Sequence, residues 1–252
     1  GTMGFKSMDY IIADSTVIPE IDQKHYLEKV SYLPRCYIPS SEDLLSKKSN
    51  KKFSRSELNL PEKEIVFCAF HNPLKINPEI FNVWIKILKR TKKSVLWIKS
   101  NNETAKKNLK HQAERGGLNP QRIIFAGRSE NINDHIEKLK LADLFLDTYP
   151  YNSHSTIYDN LKAHLPMIIR EGVSFPSRVG SSVYSSINLN ELVTKNNLDY
   201  ENIAVDLANS SSKLNKIKNK IKTQIKNNYL FNSKKFTEDL EKVYLEIFNK
   251  KT

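Results

Sequence analysis

One stretch of this sequence decides the fold, and it reads Leu144-Phe145-Leu146-Asp147-Thr148-Tyr149-Pro150-Tyr151-Asn152-Ser153-His154-Ser155-Thr156-Ile157-Tyr158-Asp159. Its apolar start is typical of a buried strand, a turn follows, and the His-Ser-Thr triplet then opens a helical pattern. The first turn of a helix presents free backbone N–H groups and the positive end of its dipole. Because hydroxyls and an imidazole can add donors at that point, the stretch predicts a site for a phosphorylated ligand at the carboxyl edge of a parallel sheet.

Apolar runs alternate with helical patterns on both sides of this stretch. The predicted strands cover residues 65–70, 95–98, 122–126, 144–147 and 166–169. The predicted helices begin at Asn77-Pro78, near residue 103, near residue 130, at His154 and at Ser177, and Gly116-Gly117 ends the second of them. Continuous β-branched strands separated by helices predict an α/β fold, with a parallel sheet and helices on both of its faces.

The remaining segments suggest a division of the chain into four parts. Residues 1–40 carry strand-like pieces at 9–14 and 36–38 with a helix near 23–30, and we interpret them as the end of another α/β unit. A Ser- and Lys-rich linker is predicted at 41–62, and the sheet domain at 63–200. Residues 201–252 are predicted to be helical, and the last helix has an apolar face that should dock on the core.

Composition and charge narrow the possible classes of protein. Hydrophobic residues make up 39% of the chain, and no apolar run approaches the roughly 18 residues of a membrane span. Cys36 and Cys68 lie in apolar runs, which favours two buried reduced thiols in a cytoplasmic protein. The net charge of +12 raises the possibility of a nucleic-acid binder. However, the densest lysine run, at 213–226, has the helical spacing of a solvated surface, so nucleic-acid binding is only a minority interpretation.

A few side chains could carry chemistry at the predicted sheet edge. Lys75 follows the first long strand and is well placed to contact a phosphate as a point charge. His154 is the strongest single candidate because it stands where a strand, a loop and a helix start meet. A surface or structural role is the simplest interpretation of His135, which shares a helix with Lys138, and of Asp159. The chain shows no paired spacing of zinc ligands, no dinucleotide or P-loop glycine motif and no nucleophile elbow.

Several motifs in order along the chain resemble the O-linked N-acetylglucosamine transferase family, which includes the plant Spindly-type transferases and bacterial homologues. The matching segments are 1–4, 8–14, 32–34, 70–78, 94–97, 122–125, His135 with 141–143, 144–159, 177–179 and 199–204. The resemblance implies the carboxyl-terminal, nucleotide-sugar-binding lobe of a two-lobed GT-B glycosyltransferase. Residues 1–40 would then be the end of the amino-terminal catalytic lobe.

The resemblance also implies an activity and roles for individual residues. The expected reaction is metal-independent transfer of a sugar, N-acetylglucosamine first among them, from a UDP-sugar to Ser or Thr hydroxyls of proteins. The roles fall on Asn72 and Lys75 at the diphosphate, His135 and Lys138 at the uracil, His154, Ser155 and Thr156 at the phosphates, Asp159 at the ribose, and Tyr151 as a further substrate-binding residue. Lys75 is also the predicted catalytic residue, because its ammonium would stabilise the departing diphosphate.

Three positions depart from the family pattern. Lys138 stands where arginine is common, Ile132 where some members carry lysine, and Ser155 where threonine is usual. A lysine cannot reproduce the planar bidentate contact of an arginine. Acceptor proteins would be captured by tetratricopeptide repeats upstream, without a nucleic-acid or membrane partner. From this chain alone we expect nucleotide binding with little or no turnover. The alternative is a non-catalytic nucleotide-binding or protein-interaction module derived from such an enzyme.

Overall fold

Six parallel strands form the central sheet of the structure, a computed structural model that describes residues 2–40, 49–226 and 228–249. The strands are β1 Tyr10–Ala13, β2 Lys29–Tyr32, β3 Ile65–Ala69, β4 Ser94–Lys99, β5 Ile123–Ala126, β6 Leu144–Leu146, β7 Met167–Arg170 and β8 Val193–Thr194. The order across the central sheet is β5-β4-β3-β6-β7-β8, and all neighbours are parallel. All five strands predicted for this sheet are present, and the short β8 was not foreseen.

Helices cover both faces of this sheet. They are α1 Pro78–Arg90, α2 Glu103–Arg115, α3 Ile132–Leu139, α4 Ser155–Lys162, α5 Val179–Ser186, α6 Asn197–Ala208, α7 Ser211–Gln224 and α8 Ser233–Asn249. The core contains the fully buried rings of Trp84, Trp97, Phe67 and Phe145. These large apolar groups fix the strands because burying each one contributes roughly 1.5–3 kcal/mol or more.

Local signals in the sequence account for most of the helix ends. Asn77 caps α1 as predicted, since its side chain accepts a hydrogen bond from the amide of Ile80. Gly116 caps the end of α2, and Gly117 adopts a φ of +73°, a conformation that glycine reaches without steric cost. The prediction that Ser177 caps the next helix is wrong by one residue: Ser177 ends a short 3-10 turn, Arg178 occupies the N-cap position, and α5 begins at Val179.

The first forty residues differ from their prediction in two places. A helix was expected near 23–30, but a 3-10 turn at Glu20–His25 is followed by β2, which pairs in parallel with β1. The alternation of Val30 and Tyr32 suits this strand, and both side chains pack on a small separate core. Residues 36–38 lie within the described part of the chain and form no strand, because the Tyr37 amide donates to the Asp14 carboxylate instead.

The carboxyl-terminal helices carry the chain back across the molecule. α6 packs against α1 and β7, and the predicted boundary after residue 200 falls inside it. In α8, Val243 is buried, whereas Tyr244 and Phe248 are more than half exposed, so the predicted apolar face is only partly covered. Both cysteines are free and buried, as predicted. Part of the predicted linker, residues 41–48, lies outside the described residues. None of the described helices combines the length and apolar character needed to cross a membrane.

Candidate functional site

The centre of the sheet holds a topological switch point. From β3 the chain proceeds outward to β4 and β5, and from β6 it proceeds in the opposite direction to β7 and β8. The loops that follow β3 and β6, at 70–77 and 147–154, therefore separate and leave a crevice at the carboxyl ends of the strands. In open α/β sheets this crevice is where ligands bind.

Lys75 reaches across this crevice from the β3 loop to the β6 loop. A 3-10 turn at Pro73–Lys75 presents it, and the Asn72 side chain caps that turn by accepting from the Leu74 amide at 3.1 Å. The Lys75 ammonium donates to the Asn152 carbonyl at 2.9 Å and lies 4.1 Å from the centre of the Tyr151 ring. Burial lowers the pKa of Lys75, and the charge of Asp147 acts in the opposite direction.

α4 starts close to this ammonium, because its N-terminal His154 stacks on the Tyr151 ring that the Lys75 ammonium contacts. Five other helices begin with a side chain that accepts from their first-turn amides; the capping residues are Asn77, Asn102, Asn131, Asn196 and Ser210. His154 occupies the corresponding position of α4 and makes no such bond, and the first turn of α4 contains no acidic residue. The free amides and the positive dipole end of α4 are thus available to an anion.

The His154 ring completes this part of the site. It stacks on the Tyr151 ring with 4.8 Å between the ring centres. Its Nε2 is buried and has no hydrogen-bond partner among the described residues. Burial and the nearby charge of Lys75 lower the pKa of His154, so the ring is neutral at pH 7. A buried nitrogen without a partner is rare in proteins, and a bound oxyanion could satisfy it.

A buried polar cluster that the sequence did not reveal lies beneath these groups. The Asp147 carboxylate accepts from the Thr148 amide at 2.9 Å, from the Ser153 amide at 2.9 Å and from the Ser153 hydroxyl at 2.8 Å. His71 lies against it, with 3.6 Å between His71 Nε2 and Asp147 Oδ1. Burial lowers the pKa of His71 to about 3 and raises that of Asp147 to about 7. The pair is therefore not an ion pair.

A second cavity, of ≈ 300 Å³, adjoins the open end of α4. Predicted site residues line it on two sides, with His135 from α3 and Asp159 and Thr156 from α4. His135 Nε2 and Asp159 Oδ2 are 3.8 Å apart. Burial lowers the pKa of His135 to about 4 and raises that of Asp159 to about 6. At pH 7 the cavity therefore presents a neutral imidazole beside a carboxylate.

Two cations in this cavity were missed by sequence reasoning. Lys99 is the last residue of β4, and Arg128 follows β5 by two positions. The carboxyl ends of adjacent parallel strands meet at one edge of a sheet. Lys99 directly follows one predicted strand and Arg128 follows the next by two residues, so their positions were a signal that could have identified both.

The structure brings most of the predicted site residues together. Lys75, Tyr151, His154, Ser155 and Thr156 gather where the β3 loop meets α4. His135 and Asp159 face each other across the adjoining cavity, and Asn72 is exposed at the rim of the β3 loop. Lys138 is the exception. Its ammonium lies 5.2 Å from the centre of the Phe53 ring, and it is not among the residues that line the cavity. The ligand contacts of all these residues remain predictions.

No group of three or more His, Cys, Asp or Glu side chains within the described ranges is placed to share a metal ion. The cations near the crevice are side chains, Lys75 at one end and Lys99 with Arg128 at the other.

Known proteins resemble this chain over three quarters of its length or more. It is 32% identical over 99% of its length to a protein of Arabidopsis thaliana called "Probable UDP-N-acetylglucosamine--peptide N-acetylglucosaminyltransferase SEC", and it covers 26% of that protein. It is 33% identical over 75% of its length to the UDP-N-acetylglucosamine--peptide N-acetylglucosaminyltransferase of Caenorhabditis elegans, and it covers 16% of that one. The chain thus spans about a quarter or less of these relatives.

A solved structure and a family profile agree with these relatives. A mutant O-GlcNAc transferase of Thermobaculum terrenum superposes with a TM-score of 0.85 over 96% of this chain and 45% of that one, at 24% identity. This likeness confirms the predicted fold, a Rossmann-like lobe of the GT-B class. The profile of glycosyl transferase family 41 matches residues 41–240. The predicted resemblance is confirmed, and the chain belongs to glycosyl transferase family 41.

Proposed function

We propose that this chain is the nucleotide-sugar-binding lobe of a glycosyltransferase that moves N-acetylglucosamine from UDP-N-acetylglucosamine to Ser or Thr hydroxyls of proteins. Family membership and the names of the relatives support the reaction. One observation carries the ligand assignment: the Lys75 ammonium and the uncapped N-terminus of α4 face the same crevice. A diphosphate is the anion that could occupy both at once.

The proposed role of this pair is to stabilise the leaving group. When the bond from the sugar to the diphosphate breaks, negative charge accumulates on the departing UDP while the sugar becomes oxocarbenium-like. Groups that interact with this charge more strongly in the transition state than in the ground state accelerate the reaction. The Lys75 ammonium and the amides of Ser155 and Thr156 are fixed before the reaction, so they need little reorganisation.

We call Lys75 and the amides at the start of α4 the diphosphate clamp. The neutral His154 ring would add an uncharged hydrogen-bond donor to this clamp. With the proton on Nε2, its buried nitrogen could donate to a phosphate oxygen without carrying a charge. The stacked Tyr151 ring holds the imidazole in place from one side. This arrangement directs a proton donor at the diphosphate while Lys75 supplies the full positive charge.

The adjoining cavity would take the nucleoside. In this proposal the Asp159 carboxylate accepts from the ribose hydroxyls and the neutral His135 ring meets the base. Lys99 and Arg128 line the same cavity, and Arg128 provides a planar group on which a base could stack. The contact of Lys138 with the uracil would require its side chain to leave the Phe53 ring.

We further propose that the transfer needs no metal cofactor, because Lys75 and the α4 dipole would supply the positive charge at the diphosphate. The two buried free thiols suit the cytoplasm, where thiols remain reduced. Acceptor proteins would be captured by tetratricopeptide repeats of the complete enzyme.

Calorimetric titration with UDP in the presence of EDTA tests the diphosphate assignment. We expect binding by the wild type and an affinity reduced about 10- to 100-fold in Lys75→Ala, since hydrogen bonds to charged groups are worth about 1.5–3 kcal/mol. Lys86→Ala is the matched control, because Lys86 is exposed on α1 and its replacement removes the same charge far from the crevice. Equal affinity of all three proteins for UDP would contradict the clamp.

A thermal-shift screen with UDP-, GDP- and TDP-sugars tests the donor. A ligand that binds only the folded state raises the free energy of unfolding of the protein by RT ln(1 + [L]/Kd). We expect UDP-N-acetylglucosamine to give the largest shift. A larger shift with a GDP-sugar would overturn the assignment of the base.

A further inference from the structure

Asp147 is the first residue after β6, and its side chain is wholly buried. No contact with the ligand has been assigned to it. The Thr148 amide donates to its Oδ1 at 2.9 Å, and the Ser153 amide donates to both oxygens at 2.9 and 3.2 Å. The Ser153 hydroxyl adds a bond of 2.8 Å. One carboxylate thus holds both ends of the loop at 148–153 with charge-assisted hydrogen bonds.

The loop closed in this way carries the groups that place Lys75. The Asn152 carbonyl, which accepts from the Lys75 ammonium at 2.9 Å, belongs to the residue directly before Ser153. The Tyr151 ring, which lies under the same ammonium, also stacks on His154. Any displacement of this loop would therefore move the acceptor and both rings together.

We propose that Asp147 is the positioning residue of the diphosphate site. Its carboxylate fixes the 148–153 loop, and with it the Asn152 carbonyl that accepts from the Lys75 ammonium. This inference rests on the proposed function and deepens it. Asp147 acts through Lys75 and does not contact the nucleotide.

The groups around Asp147 agree with this role. From the β3 loop, His71 faces it as a neutral ring, because burial lowers the pKa of His71 to about 3. From α6, the Tyr200 hydroxyl donates to the Asp147 carbonyl at 2.9 Å. Burial raises the pKa of Tyr200 and of Tyr184 in α5, so both stay neutral. Lys75 is the charged group whose pKa Asp147 raises against the effect of burial.

Burial also brings the titration of Asp147 close to neutrality. It raises the pKa of the carboxyl to about 7, although Ser153, Thr148 and Lys75 act to lower it. Because the pKa of Asp147 is higher in the folded than in the unfolded chain, the contribution of Asp147 to the free energy of unfolding is most favourable at low pH and falls as the pH rises toward 7. Holding the ionised carboxylate above pH 7 therefore destabilises the fold, which is expected of a group kept for positioning.

The chain offers a closely matched control in Asp14. This buried carboxylate follows β1 as Asp147 follows β6, and it also accepts from backbone amides, at 2.9 Å from Thr16 and 3.0 Å from Val17. A serine hydroxyl, that of Ser182, donates to it at 2.6 Å. Asp14 lies outside the switch point, so its replacement should leave Lys75 unchanged.

The experiment compares Asp147→Asn with Asp14→Asn in the ligand-free protein, after circular dichroism has shown that each is folded. Acetylation of Lys75 is followed across pH by mass spectrometry. We expect the midpoint of the Lys75 profile to fall in Asp147→Asn, so that its acetylation at pH 8 is roughly three- to tenfold faster. We also expect calorimetry to show that the UDP affinity of Asp147→Asn is reduced roughly fivefold or more. Asp14→Asn should match the wild type in both measurements.

A second pair of variants applies if Asp147→Asn does not fold. Ser153→Ala removes one hydrogen bond that ties the loop to Asp147 and loosens the Asn152 carbonyl that accepts from Lys75, so the midpoint of the Lys75 profile should fall by a smaller amount. Ser182→Ala is its control. An unchanged Lys75 profile, or a shifted profile with unchanged UDP affinity, would overturn the positioning role. If the profile shifts but the wild type does not bind UDP, the proposed function fails while the coupling of Asp147 to Lys75 stands.

Discussion

The central sheet has an amino edge, where its strands begin, and a carboxyl edge, where its strands end. Both edges carry lysines and arginines, but in opposite electrostatic settings. At the amino edge, Lys92, Lys93 and Lys218 line a cavity of ≈ 660 Å³ together with Arg90 and Asp143. Helices end at this edge, and their negative dipole ends attract cations. Carboxylates add to this, since Arg90 is 2.9 Å from Glu201 and Lys218 is 3.5 Å from Asp143.

At the carboxyl edge, where Lys99 and Arg128 also lie, the half-buried Lys75 stands near the positive end of α4. Lys75 has no carboxylate oxygen within 4 Å among the described residues, and a carbonyl is its hydrogen-bond acceptor. The comparison explains the net charge of +12 in part. Many cations satisfy helix ends and carboxylates within the lobe. A cation without such a partner, next to an uncapped helix start, is the one that indicates a ligand.

Reversal of charge at the two edges should give the largest contrast. We expect Lys75→Glu to weaken UDP binding about 100-fold or more, because it replaces attraction by repulsion at the diphosphate. Lys92→Glu makes the same change in net charge on the exposed amino edge and should leave the UDP affinity within about twofold. Isothermal titration calorimetry at fixed ionic strength measures both. Similar losses in the two variants would show that only the overall charge matters.

Addition of an acid to the open helix start should separate stability from binding. Ser155→Asp places a carboxylate in the first turn of α4 and should stabilise the lobe by about 0.3–1 kcal/mol. The same carboxylate would repel a diphosphate and should weaken UDP binding roughly tenfold. Ser211→Asp is the control, since α7 begins at the amino edge and also lacks an acid in its first turn. In urea unfolding, Ser211→Asp should stabilise the protein about as much as Ser155→Asp does, and it should leave UDP binding unchanged.

The pH dependence of nucleoside binding should reveal Asp159. Because burial raises its pKa to about 6, the carboxylate is ionised above that pH and protonated below it. We expect uridine affinity to rise roughly three- to tenfold from pH 5 to pH 7 as the acceptor for the ribose hydroxyls gains its charge. His135, with a pKa of about 4, stays neutral throughout this range.

Uridine is the chosen ligand because it lacks phosphates that titrate in the same range. NMR titrations of the wild type and Asp159→Asn provide the measurement, and the variant should show a flat profile. An equally steep profile in Asp159→Asn would assign the titration to another group.

The smallest effect is expected from neutral replacements at the amino edge. Lys92→Ala and Lys93→Ala should each change the free energy of unfolding by less than about 0.5 kcal/mol, since both side chains are exposed. UDP binding should also be unchanged. A loss of UDP affinity in either variant would mean that the nucleotide does not lie at the carboxyl edge.

The sequence predicted the central sheet well because its signals are local. β3 to β7 are continuous apolar runs, and Asn77 and Gly116-Gly117 mark helix ends by their own chemistry. β2 was missed because four residues, partly exposed, carry too little pattern to separate a strand from a helix. β8 has only two residues, and its pairing with β7 defines it.

The candidate site was predicted in outline, and its missing parts are those set by tertiary packing. Lys75 and the start of α4 could be found because each follows a recognisable strand. Asp147 was read as the end of a strand, and its contact with His71 is created only when β3 and β6 become neighbours. Lys138 projects to Phe53, and no local pattern specifies this contact.

The bond between Lys75 and Asn152 joins residues 77 positions apart, and it crosses the two strands at the middle of the sheet. Neither the segment up to α2 nor the segment from β5 onward contains both residues of this bond. If the proposed site binds a nucleotide, its affinity would therefore measure chain assembly as well as chemistry. If the chain were divided in the loop between α2 and β5, the recovery of UDP binding on mixing would report that β3 and β6 had paired.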